Sequence, residues 1–169
     1  MAEVRRGRSS GPGAGALIPN PALKPLEFLI GEWRTTGTHP LVPGETLCGR
    51  TVFAPHEGGA FLIMRSQVDH PQFPDGVAII GSDGACGDLT MIYFDEREVS
   101  RILDVTAADR SVTWRHDDAE FAQSLTIAAD GDRLVSKGRM SKKGGAWEDD
   151  LSQVYTREAP WNEPPARSP

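Results

Sequence analysis

The sequence has few cysteines, no surplus of positive charge and no long apolar run. Its two cysteines are Cys48 and Cys86. Neither forms a CxxC pair or lies near a histidine at metal-ligand spacing. Two free thiols in a reducing compartment are expected, by default the cytoplasm. The formal net charge is −6. Phosphate binding needs a basic face, so nucleic acid is not an expected partner. No apolar stretch approaches the ~20 residues that cross a bilayer as a helix. Arg5, Arg6 and Arg8 have no apolar segment behind them, which does not support a secretory signal. Long amphipathic helical windows are absent. So are phosphate-loop and dinucleotide fingerprints, because the glycines sit in hairpins rather than between a strand and a helix.

What is present suits one domain with a real core in 169 residues. Residues 1–19 are rich in Gly, Ser, Ala and Arg and read as a flexible tail. Asn20-Pro21 is a helix start with Asn as cap and Pro in the first turn. Leu23, Leu26, Phe28, Leu29 and Ile30 make the next turns apolar, and Pro25 keeps the helix short. From Trp33 onward, turn residues recur about every 8 to 12 positions, as in an all-β sandwich or barrel. About ten strands are expected. They are Gly31–His39, Thr46–Phe53, Ala60–Val68, Gly76–Gly81, Leu89–Asp95, Val99–Thr106, Ser111–His116, Phe121–Ala128, Arg133–Met140 and Trp147–Arg157. The domain then spans 20–158, with an irregular Pro-rich tail at 159–169. The fold class is a closed antiparallel barrel plugged at one end by the short N-terminal helix.

Alternation assigns the inner faces, because successive strand side chains point to opposite sides. Arg101 falls in line with Val99, Leu103 and Val105. Trp114 and His116 share a face with Val112, and Gln123 shares one with Phe121, Leu125 and Ile127. Asp149 and Gln153 fall in line with Trp147, Leu151 and Tyr155. An unpaired buried charge is very costly. Either Arg101, Gln123, Asp149 and Gln153 pair with one another, or they line a cavity that holds water and a ligand.

Gly31-Glu32-Trp33 at the head of the first strand and Tyr155-Thr156-Arg157 at the end of the last resemble the calycin superfamily of lipocalins, fatty-acid-binding proteins and nitrobindins. The resemblance implies that Trp33 sits at the closed end of the barrel with Arg157 packed on its ring, where cation–π attraction holds the pair. More narrowly, Phe28-Leu29-Ile30-Gly31-Glu32-Trp33, Gly58-Gly59-Ala60-Phe61-Leu62 and Tyr93-Phe94-Asp95-Glu96-Arg97 resemble the lipocalin-like family labelled DUF1579, a relative of nitrobindin. Nitrobindins hold haem through a histidine close to the C-terminus. This chain departs from that pattern, since its histidines are His39, His56, His70 and His116. No cofactor is therefore expected. Haem is the disfavoured alternative, with His39 or His116 as inward ligands.

The resemblance to fatty-acid-binding barrels implies an internal anchor for a carboxylate. Arg101 is the leading candidate, because a guanidinium holds a carboxylate through paired hydrogen bonds. Gln123, Gln153 and Tyr93 would complete the site, and Trp114 is either a stacking surface or core. The structural alternative is an Arg101–Asp149 pair with no ligand. The expected activity is binding of a small apolar or amphipathic molecule with a polar or acidic head. A barrel cyclase or isomerase using Asp149 and His116 is the alternative. The oligomeric state is open, with Trp161 in the tail a contact for a homodimer.

Overall fold

The computed structural model describes residues 20–84 and 86–159. The expectations for 1–19, for the Pro-rich tail from 160 and for Trp161 lie outside the described residues. Ten strands follow one another: β1 Gly31–Thr38, β2 Leu47–His56, β3 Phe61–Val68, β4 Gly76–Ser82, β5 Leu89–Asp95, β6 Ser100–Ala108, β7 Ser111–His116, β8 Phe121–Asp130, β9 Arg133–Lys142 and β10 Glu148–Ala159. Each pairs antiparallel with its neighbours in sequence, and β1 pairs with β10 to close the barrel. His39 and Trp147 lie just beyond the strands expected to contain them. No helix among the described residues is long and apolar enough to cross a membrane.

The N-terminal plug is a 3₁₀ helix, Pro21–Leu29, rather than an α-helix. Asn20 caps it, its side chain accepting from the Ala22 amide at 3.0 Å. Pro25 lacks the amide a longer α-helix would need there. Asn20 also donates to Ser82 Oγ at 2.9 Å, tying the plug to β4. Leu26 and Leu29 are buried against the floor of the barrel, in one cluster with Trp33, Phe53, Leu62, Ile80, Ile127 and Leu134.

Trp33 is 1% exposed and donates from Nε1 to the Leu29 carbonyl at 2.7 Å. The Arg157 guanidinium carbon lies 4.1 Å from the Trp33 ring centroid, and its Nη1 donates to the Ile30 carbonyl at 3.0 Å. Gly31 makes this corner possible. Its φ of +146° disfavours any side chain, and a Cβ there would meet the Arg157 guanidinium. The plugged end is thus closed by the helix, Trp33 and Arg157, and the open end, bordered by the 39–46, 69–75 and 96–99 loops, gives access to the interior.

One irregularity re-aims side chains at that open end. The β9–β10 register runs Asp149↔Arg139 and then Ser152↔Lys137. Asp150 and Leu151 therefore both oppose Gly138, which is a β-bulge. Glycine is needed at 138, because a Cβ there would sit 2.6 Å from the Leu151 carbonyl oxygen. The extra residue reverses the alternation. Asp150 is buried and Asp149 is exposed, the opposite of strict period-two counting.

Candidate functional site

Above that closed end lies a cavity of about 370 Å³, open towards the mouth. Its lower wall is apolar, with Met64, Met91, Leu103, Trp114 and Leu125. Its polar side chains come from β2, β3, β5, β6, β8, β9 and β10 and from the loops after β1, β3 and β5. The structure brings Arg101, Gln123, Gln153, Tyr93, Trp114 and His39 to this one cavity. It does not bring Asp149, which faces a groove outside the barrel beside Lys137 and Ser152. Asp150, one residue on, takes the inner place. In place of an Arg101–Asp149 pair, the structural alternative to a ligand site, there is a longer chain of contacts.

That chain runs across four segments far apart in sequence. Arg101 Nη1 donates to Gln123 Oε1 at 3.0 Å. Gln123 Nε2 donates to Asp150 Oδ2 at 2.6 Å. The other Asp150 oxygen is 2.7 Å from His39 Nε2. The Leu41 amide donates to His39 Nδ1 at 3.0 Å, so the His39 proton resides on Nε2 and is given to Asp150. Asp150 thus accepts from two protein donors, which is how a carboxylate survives burial.

Two other cations line the cavity, Arg97 and Lys142; Lys142 is exposed and has no ion pair among the described residues. Arg97 is held by Asp95, Nη2 to Oδ2 at 2.7 Å, and Tyr93 donates its hydroxyl to the same oxygen at 3.2 Å. Burial pushes the Asp95 carboxyl up, but the hydrogen bonds from Arg97 pull it down further, and it lies below its ordinary value. Arg101 differs. It is half-buried with its guanidinium carbon 4.5 Å from the Phe121 ring centroid. It has no carboxylate within ion-pair distance among the described residues, and Gln123 is its one hydrogen-bond partner. A guanidinium has five donors in a fixed fork, so most of the Arg101 fork is free. Gln153 sits deeper, its Oε1 accepting from the Tyr155 hydroxyl at 3.1 Å.

Both ring nitrogens of His39 are engaged. His116 lies off the cavity wall, with Nδ1 3.0 Å from the Ile102 carbonyl. Neither offers a free ring nitrogen to the interior. For the same reason His116 and Asp149 do not form an acid–base pair there. Asp150, Phe121 and Tyr155 are among the lining residues absent from the sequence-based site. Tyr155 and Phe121 were legible as inward by alternation, whereas Asp150 carried no signal, because the bulge that turns it inward depends on the facing strand.

Two tests follow from this geometry. Asp150→Ala is expected to destabilise the fold by about 2–3 kcal/mol, because it leaves the Gln123 and His39 donors without an acceptor. Asp149→Ala should change stability by under about 0.5 kcal/mol. Urea unfolding of the two variants separates them, and equal losses would contradict the bulge. The second test is alkaline. The chain has two tyrosines, Tyr93 and Tyr155, and burial pushes both up to about 12. The native protein should show no phenolate absorbance near pH 10, whereas the chain in guanidinium chloride titrates there, at about the free phenol value. Because folding raises both values, the tyrosines' contribution to stability is level below about pH 10 and falls as pH rises towards 12, where only the unfolded chain has released its protons. Phenolate absorbance growing at pH 10 before any loss of circular dichroism would refute the burial effect.

No family model matches the chain, and no curated protein matches it. Among solved structures it is similar to Rv2717c from M. tuberculosis, with 20% sequence identity and a TM-score of 0.59 over 82% of this chain and 98% of that one. At that identity the likeness is one of fold, a barrel compatible with ligand binding.

Proposed function

We propose that this barrel binds a small, largely apolar molecule with a single anionic head, the head meeting Arg101 and the apolar body filling the space below it. The observation that carries this reading is the half-buried Arg101 fork, facing the cavity without a carboxylate of its own. A guanidinium so placed gains most from a carboxylate, through paired, charge-assisted hydrogen bonds. One charge suits the site better than two, because the Asp150 carboxylate lies one residue away in the same chain of contacts. Met64, Met91, Leu103 and Leu125 supply apolar surface worth roughly 25 cal/mol per Å² buried. A cavity of about 370 Å³ holds on the order of a dozen to fifteen non-hydrogen atoms at native packing density. The test is calorimetric titration with decanoate and with decanol, which share a chain and differ in the head. The acid should bind at least about tenfold tighter, the worth of one charge-assisted contact. Equal affinities would refute the anionic head, and no binding of either would refute the cavity as a site.

A further inference from the structure

The outer wall of the barrel carries a second feature, independent of what the cavity holds. Among the described residues eight large apolar side chains are exposed, and six of them lie on the adjoining strands β3 to β6. Ile63, Ile79, Ile92 and Ile102 are register partners in turn, so they form one row across four strands. Ile102 is 66% exposed. The next row towards the mouth holds Arg65, Val77, Phe94 and Ser100. The row on the other side holds Phe61, Gly81, Thr90 and Asp104, with the Phe61 ring lying over Gly81. The six exposed side chains offer on the order of 500 Å² of apolar surface. With a polar rim that approaches the ~800 Å² each partner contributes to a standard interface.

Within these three rows two side chains are charged, and they stand at opposite corners. Arg65 ends the first row on β3, and Asp104 ends the third on β6. Neither has an ion pair among the described residues, and Arg115, the cross-strand neighbour of Asp104, is turned to Asp117. Three strand spacings separate the corners across the sheet, about 14 Å, and four residues separate them along it, about 13 Å. A two-fold axis lying in the interface, perpendicular to that diagonal, sets Arg65 of each copy against Asp104 of the other. It crosses the two sheets at roughly 90°, one of the two ways sheets pack face to face. Opposite charges at symmetry-related corners are what a self-complementary surface requires.

We infer that a second copy of this chain docks here, burying the isoleucine row and closing two Arg65–Asp104 pairs between protomers. An anionic membrane fits less well, because the chain carries a net −6 and the band offers one cation.

The experiment is sedimentation velocity of the full chain at about 50 μM, in the range where interfaces of this size hold. The expected species has twice the 18.3 kDa chain mass. Ile92→Asp, at the centre of the band, should give a monomer with unchanged circular dichroism, and Ile102→Lys gives a second reading should Ile92→Asp not fold. Arg65→Asp and Asp104→Arg should each weaken the dimer about tenfold, and the double variant should restore it, as expected of a direct charge pair. A monomer at that concentration, a dimer that survives both isoleucine variants, a double variant that is not restored, or a monomer that floats with phosphatidylserine vesicles would each overturn the inference.

Discussion

Trp33→Ala should cost about 3–5 kcal/mol of folding free energy, the range for emptying a large aromatic site. The site is among the most buried of the chain, and three separate contacts converge on it. The indole fills the floor between the 3₁₀ plug and the barrel. Its Nε1 satisfies the last turn of the plug through the Leu29 carbonyl. Its face carries the Arg157 guanidinium. Alanine leaves a void, an unpaired carbonyl and an arginine with no ring beneath it. Against a total stability of 5–15 kcal/mol for typical domains, the loss should lower the melting temperature by roughly 10 °C or more. Trp33→Phe keeps most of the volume and loses the hydrogen bond, so it should cost about 1–2 kcal/mol. Calorimetric melting of both variants tests the assignment. A Trp33→Ala loss under 1 kcal/mol would mean that the plug does not depend on this residue.

Arg101→Leu should weaken decanoate binding about 30- to 160-fold, the 2–3 kcal/mol of a charge-assisted contact. Decanol should bind within about threefold of its original affinity, because its hydroxyl makes no ion pair to lose. Arg101→Lys should fall between, since an ammonium keeps the charge without the planar fork. The acid–alcohol comparison separates the head contact from general damage. A collapsed cavity would weaken both ligands together, whereas loss of an anion anchor weakens one. Unchanged decanoate affinity in Arg101→Leu would remove Arg101 from the site. The variant also leaves Gln123 Oε1 without its donor, so urea unfolding should accompany the titration.

Much of the architecture is written locally. Turn dipeptides mark the hairpins, and apolar alternation marks which side chains face inward. This information lies within a few residues of each position, so ten strands, a capped plug and the inward placing of Trp33, Arg101, Trp114 and Gln123 are legible without the fold. Asp150 is different. Its neighbour Asp149 has the right parity for an unbroken strand, and the inversion arises because Gly138 on β9 lets two residues of β10 crowd opposite one. Nothing in the β10 sequence alone requires that.

The sequence by itself determined a plugged antiparallel barrel with polar groups on its inner wall, because strand periodicity and turn chemistry are properties of short segments. The tertiary structure decided which of those groups are satisfied. Arg101, Gln123, Asp150 and His39 come from four segments, with His39 and Asp150 111 residues apart. Only their meeting in space shows that Asp150 is fully engaged and that Arg101 is left with a free fork. The isoleucine row is likewise invisible along the chain, since each strand contributes one member. It exists because the register of β3, β4, β5 and β6 sets those side chains at one height.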